Sequence, residues 1–386
     1  MEYNKLKAIF REGPYKAKSL IIALWFSFLF LPFRGLKAAV ILFGVLLVFL
    51  LFLKFLLRYT KVLRERLQGI GNRILAIIRY PNVRSMIFVL FILLLFIPFI
   101  SSDYFTDVAI LAGIYMILAL GLNIVVGFAG LLNLGFVAFY AIGAYTYALL
   151  NTRLGLDFWS ALPFSIGLST VAGFILAIPA LRLRGDYLAI VTLGFGEIVR
   201  LVLNNWDSLT MGPNGVSGID SPSIMSVSFG KLTYYYYFVL MFVVLTVFVT
   251  RRVYYSRIGR AWIAIREDEV ASSAMGINTT MYRIYSFAFG AFWAGLAGTL
   301  FAGKMHFVSP ESFTFMESVF ILCMVILGGL GSIQGVILGS IILVLLPEVL
   351  REVQLYRMLA LGSGIVLLMI FRPQGLIGGK GASLRS

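Results

Sequence analysis

The sequence predicts an all-α, polytopic integral membrane protein of about 11–12 transmembrane helices, and three observations carry that prediction. The first is composition. Of the 386 residues 60% are hydrophobic and 13% charged, against about 45–50% apolar (glycine counted) and about 25% charged in soluble globular chains. The second is a series of apolar runs near spanning length. The third is the gathering of Lys and Arg into alternate connections between those runs. A chain this poor in polar surface cannot be a water-soluble enzyme of one or two domains, and disorder and coiled coil fall with it.

Taken in order, the runs are 38–57, 85–100, 108–127, 131–150, 160–181, 187–205, 233–250, 285–303, 316–330, 335–349 and 357–371. A shorter run at 20–33 is either a twelfth span or an arm of an interfacial hairpin. Placing 1–19, 58–84, 182–186, 251–284 and 372–386 on one side collects 23 of the 32 Lys and Arg, and the opposite connections hold 7. The positive-inside rule makes the richer side cytoplasmic. Twelve spans put both termini there, whereas eleven would place the five basic residues of 1–19 outside.

The chain divides by texture. Residues 1–100 are rich in Leu and Phe and poor in small residues, as in helices that face lipid, with a basic stretch at 58–84 suited to anionic headgroups or to a docking partner. The core, 101–376, interleaves Gly, Ala, Ser and Asn with aromatics, as in a bundle with close helix contacts and a polar interior. Residues 377–386 form a cytoplasmic tail.

Several kinds of chemistry are excluded by counting. The net charge of +15 would suggest nucleic acid in a soluble chain, but here it belongs to cytoplasmic loops. With one Cys and one His the chain can form no internal disulfide, thiolate cluster or multi-histidine metal site. Cys323 reads as a small thiol packed in an apolar run, and His306 as a solvated loop residue. The nearest approach to a phosphate-binding loop, at 378–381, lacks the first glycine and the hydroxyl after lysine. Any ATP must bind another chain, and this one carries no cofactor.

Three segments could hold function. In 121–145, Asn123 and Asn133 lie at bilayer depth, and Gly127 and Gly130 interrupt the helical run, so a broken or re-entrant segment is expected. Close packing through small residues, alone or with a pathway lining, fits equally. In 185–200, Asp186 is placed to cap a helix start. Glu197 falls near mid-span with Arg200 three residues on, an intrahelical ion pair expected to face the bundle. In 251–285, Glu267, Asp268 and Glu269 would fill the first turn of a short amphipathic helix bearing Val270, Ala271, Ala274 and Met275 and ending at Gly276. Trp262, Ile263 and Ile265 beside it argue for a docking surface rather than a solvated connector.

The segments 121–145, 181–200, GPNG at 212–215, 259–278, FVSPESFTF at 307–315, LGGLGS at 327–332 and RPQGL at 372–376 together resemble the LivM-type permease subunit of ATP-binding-cassette importers for branched-chain amino acids. The resemblance runs from about Asp107 to Leu376. It implies an ABC importer permease bundle in a bacterial inner membrane. A LivH-type sister permease, two ATPase subunits of LivG/LivF type and a periplasmic binding protein complete the assembly.

The resemblance makes 259–276 the coupling helix seated on an ATPase, with Gly259, Arg260, Ala261, Trp262, Arg266, Glu267, Asp268, Glu269, Met275 and Gly276 as contacts. Loops 206–232 and 304–315 would face the binding protein, with Pro213, Asn214 and Gly215 in a tight turn. The pathway between the permeases would draw on Asn123, Gly127, Asn133, Tyr140, Tyr145, Glu197 and Arg200. A urea or short-chain amide permease of the same superfamily shares the glycine-rich segments. A secondary transporter would need a mid-depth acid without a cationic partner, and Glu197, the one such acid in the matched region, has Arg200. The glycine-rich stretches at 127–143 and 328–339 hint at an inverted repeat.

Overall fold

The computed structural model describes residues 102–349 except 182, 184, 225 and 226, together with residues 98, 362, 375 and 376. The expected spans at 20–33, 38–57, 85–100 and 357–371, and the tail at 377–386, lie outside the described residues but for those isolated positions.

Each expected span within the described residues is a helix. They are α1 (Asp103–Leu122), α2 (Val137–Leu154), α3 (Phe158–Ala180), α4 (Asp186–Asn205), α6 (Leu232–Tyr254), α9 (Thr279–Met305), α10 (Phe315–Gly328) and α11 (Ile333–Val349). Short α5 (Asp207–Thr210) and the pair α7 (Arg257–Glu267) and α8 (Glu269–Ala274) lie in connections. Among the described residues four helices are long and apolar enough to cross a membrane, α1 with its extension to Phe128, α3, α6 and α9. The molecule is a membrane protein.

The centre of the bundle is α1 and α9, whose spans are 78% and 72% buried against 33% for α3 and 39% for α6. They run antiparallel. Lys304 near the end of α9 pairs with Asp107 near the start of α1 at 2.8 Å, and towards the other end Gly121 meets Gly290. Small residues let α9 press on its neighbours. A Cβ on Gly143 of α2 would lie 2.6 Å from the Gly295 Cα, and one on Gly173 of α3 2.7 Å from the Ala291 Cβ. In lipid the helices gain little from hydrophobicity, so contact of this closeness is what binds them. Some hydroxyls inside the bundle return to their own helix, as Thr246 does to the Phe242 carbonyl (2.7 Å) and Thr299 to the Gly295 carbonyl (3.0 Å), and others cross to a neighbour, as Ser169 does to the Phe139 carbonyl (3.0 Å). Each such bond satisfies a hydroxyl that an apolar medium would otherwise leave unmatched.

Two connections are joined at the α1-start end. Strand β1 (Val216–Ser217) pairs antiparallel with β4 (Phe307–Val308), with Val216 opposite Val308. Between them in sequence, β2 (Ser223–Ile224) pairs with β3 (Val227–Ser228).

Candidate translocation and coupling site

Sequence reading placed one helix over 131–150, but the structure starts α2 only at Val137. Ahead of it, α1 widens into a π-helical segment, Asn123–Phe128, and residues 129–136 are irregular apart from the approach to α2. Two glycines require this. Gly130 has φ +72°, a left-handed conformation that side chains resist. A Cβ on Gly127 would lie 2.6 Å from the Gly331 nitrogen. The close approach lets the Asn123 Oδ1 accept the Gly331 N–H at 2.9 Å. Thus the breaks at 127–130 and 328–331 meet each other.

Protein groups satisfy the irregular backbone, as the bilayer demands. Leu134 N–H donates to the Thr192 hydroxyl of α4 (3.0 Å), Val137 N–H to the Ser318 hydroxyl of α10 (3.1 Å), and Gly135 N–H to the Asn133 side chain (3.0 Å). The Asn123 and Asn133 side chains are fully buried, and their amide nitrogens have no partner among the described residues. Tyr140 and Tyr145 form a separate cluster. Tyr140 packs on Phe301 (5.4 Å) and Phe313 (5.0 Å), Tyr145 on Phe313 (6.1 Å). The residues expected along one pathway therefore fall into an asparagine–glycine junction, an aromatic cluster and an ion pair.

That ion pair forms, with Arg200 Nε donating to Glu197 Oε2 at 2.9 Å, but it does not face the bundle. Its side chains are 33% and 32% exposed. The buried stripe of α4 is Leu188, Ala189, Thr192, Gly196 and Leu203, and Ile198 and Leu201 beside the pair are exposed. Gly135 lies against the Thr192 carbonyl, which turns the stripe, and not the pair, inward. Asp186 is the first residue of α4 and makes no capping bond. Gly185, at φ 56°, occupies the cap position, and Asp186, in the first turn, complements the helix dipole.

One acid escaped the sequence reading. Glu317 stands in the first turn of α10 and accepts the Tyr115 hydroxyl at 2.8 Å. Tyr115 lies roughly 12 Å along α1 from Asp107 and as far from Asn123, so Glu197 is not the sole acid at depth. The run 316–330 placed Glu317 at a span edge, because nothing local signals that the 3₁₀ turn Pro310–Phe313 carries the chain into the bundle before α10 begins.

The expected coupling helix is two helices. Glu267 ends α7, Asp268 is extended (φ −156°, ψ 112°), and its carboxylate caps α8 by accepting the Ala271 N–H at 2.9 Å. An aspartate that can cap competes with continued helix, so the three acids straddle a break instead of filling one turn. Gly259, Ala261 and Trp262 are buried against the bundle, which removes them from any outer docking face. Trp262 Nε1 donates to the Tyr282 carbonyl (2.7 Å), and Gly259 fits under the Val253 and Tyr254 carbonyls. Glu269 pairs with Arg283 at 2.6 Å. Arg260, Glu267 and Asp268 are exposed, as are Val270 (70%) and Met275 (83%). Gly276, at φ +83°, ends α8, with Ile277 N–H returning to the Ser272 carbonyl at 3.1 Å.

At the opposite end, the GPNG turn forms as expected. Pro213 and Asn214 are exposed, and a Cβ on Gly215 would lie 3.0 Å from the Ser309 Cα. His306 is exposed but engaged. Nδ1 lies 2.6 Å from the Ile219 carbonyl and Nε2 3.3 Å from the Ser221 hydroxyl. Only a donor can face a carbonyl, so Nδ1 carries a proton. Cys323 is half-buried in the core, as a packed thiol.

The family model described as "Branched-chain amino acid transport system / permease component" matches residues 104–371. The chain belongs to that family. The permease is 46% identical over 329 residues to the high-affinity branched-chain amino acid transport system permease protein LivM of Escherichia coli (strain K12), covering 79% of this chain and 77% of that one. It is 26% identical over 328 residues to the probable branched-chain amino acid transport permease protein LivM of Methanocaldococcus jannaschii (72% and 94% covered). Similarity extends to the E. coli permease protein LivH, 27% identical over 290 residues (69% and 92%). No solved structure matches the permease. These relatives are transport permeases, not enzymes.

Proposed function

We propose that the permease is the LivM-type transmembrane subunit of an ATP-driven importer that moves leucine, isoleucine and valine. The observation that carries this is 46% identity to LivM over about four-fifths of the chain, together with a family match over residues 104–371 that takes in the broken α1–α2 segment and the α7–α8 elbow. The α7–α8 end is cytoplasmic, as the basic connections require, so both termini are cytoplasmic and the membrane is the bacterial inner membrane. A LivH-type permease is its partner, two ATPase subunits bind and hydrolyse ATP, and a periplasmic protein delivers substrate to the joined loops carrying Pro213, Asn214 and Gly215.

Two features support this reading. Val270 and Met275 place apolar side chains in the cytoplasm on a helix too short to stand alone, which suits an ATPase groove. The Glu197–Arg200 pair sits on the unpacked side of α4. An ion pair is costly against hydrocarbon, so that side suits the sister permease and the path between the two chains. Asn123, Gly127 and Asn133 form the movable floor of that path, and Tyr140 and Tyr145 its aromatic wall beneath the loops.

Reconstitution tests the assignment. Leucine uptake into proteoliposomes should require the sister permease, both ATPase subunits, ATP and the binding protein. Accumulation by the isolated chain, or a preference for urea over leucine in the complete system, would overturn it. A second expectation concerns docking. Val270→Asp with Met275→Asp should release the ATPase subunits during purification while leaving the melting temperature of the permease within about 2 °C, since both side chains are exposed. Retained ATPase subunits would count against α8 as the docking element.

A further inference from the structure

One side chain of the α7–α8 elbow reaches both membrane breaks. Arg266 is exposed at the end of α7, yet its Nη1 donates to the carbonyl of Gly127. That carbonyl belongs to the last turn of the π segment, where helical acceptors lack backbone donors and the dipole is negative, so a guanidinium suits it. The stem of Arg266 fills the space that glycine leaves at Gly130, where a Cβ would lie 2.8 Å from the Arg266 Cγ. On the other side, a Cβ on Gly331 would lie 3.1 Å from the same Nη1, and Gly331 is held to Asn123. Other anchors of α7, among them Trp262 and Gly259, bind it to the continuous helices α9 and α6.

We infer that Arg266 is a transmission residue: it passes displacement of α7 to the breaks at Gly127–Gly130 and Gly331, and does not serve as an ATPase contact. This rests on the docking of α7–α8 to an ATPase. When the ATPase moves the elbow, the guanidinium carries the Gly127 carbonyl with it. Gly130 and Gly331, both at positive φ, absorb the rotation. Arg266 acts through the break and touches no substrate.

The test uses the assembled importer in proteoliposomes and reads leucine taken up per ATP hydrolysed, a ratio that lower protein yield does not move. Arg266→Met keeps the stem and loses the donor, and the ratio should fall about tenfold, the scale of one charge-assisted hydrogen bond, while hydrolysis continues. Arg266→Lys should stay within about threefold of the parent, because the charge persists without the planar fork. A ratio for Arg266→Met within about twofold of the parent, the range of ordinary surface substitutions, overturns the inference. If that variant does not assemble, Arg266→Gln is decisive, with a ratio below the parent's supporting transmission and a parental ratio overturning it. The docking reading is scored separately through Ser273→Cys on the exposed face of α8. No cross-link from that cysteine to an ATPase subunit overturns docking. A retained cross-link with a parental Arg266→Met ratio overturns transmission alone.

Discussion

Gly143→Val should all but eliminate the folded permease, with less than about a tenth of the parental amount surviving detergent extraction as a monodisperse species. At the α2–α9 crossing the backbones touch. A Cβ on Gly143 meets the Gly295 carbonyl and lies 2.6 Å from its Cα, and a Cβ on Gly298 meets the Tyr140 carbonyl and lies 2.7 Å from the Ala144 nitrogen. The obstacle is backbone, which cannot turn aside as a side-chain tip can. Overpacking of an ordinary core costs about 1–3 kcal/mol, and separating two helices whose attraction is van der Waals contact forfeits the whole interface as well. Gly167→Val is the matched control, a glycine on the exposed side of α3 with nothing within 4 Å. Equal extraction and melting of the two variants would disprove the crossing as the central contact of the bundle.

Glu269→Ala should destabilise the permease by about 3 kcal/mol, the scale of stranding a nearly buried charge. The Arg283 side chain is only 10% exposed and its Nε already has no partner among the described residues. Its other described acceptor, the Leu181 carbonyl, lies at a long 3.5 Å. Glu269→Leu combined with Arg283→Met should recover most of the loss, because both charges leave together. A double-mutant cycle in thermal unfolding measures this. A melting temperature unchanged by Glu269→Ala would show that the pair contributes nothing. The same geometry alters how docking is tested. Replacing Glu267, Asp268 and Glu269 together removes the α8 cap and this ion pair as well as surface charge, so any uncoupling would be a folding effect as much as a docking one. Val270 and Met275 separate the two.

The spans were legible because a bilayer imposes a minimum length of apolar chain, and only backbone-satisfied helices can occupy it. The eight that fall within the described residues lie close to their expected places. The bond between Glu197 and Arg200 was legible too, since three residues on a helix is a local distance. So was the Gly276 helix end, a matter of one residue's conformational freedom. The direction of the pair was not. Which side of α4 is covered depends on where Leu134 and Gly135 lie, and Leu134 meets Thr192 across 58 positions. The break at Asp268 was missed for a related reason: a cap and a first-turn acid are the same residue type, and the choice between them is made by what α7 and α8 each pack against.

By itself the sequence determined the class of solvent this protein occupies, the order of its membrane segments among the described residues and, through the resemblance of its ordered motifs, the permease family. The first two are properties of composition and local spacing, which physics fixes without reference to the rest of the chain, whereas the family rests on likeness to known permeases. Tertiary structure alone decided that Asn123 reaches Gly331, that Glu317 enters the bundle beside Tyr115 and that Arg266 turns inward to Gly127. Each joins residues more than 130 positions apart. No local energy term distinguishes a partner at that separation until the intervening helices have packed.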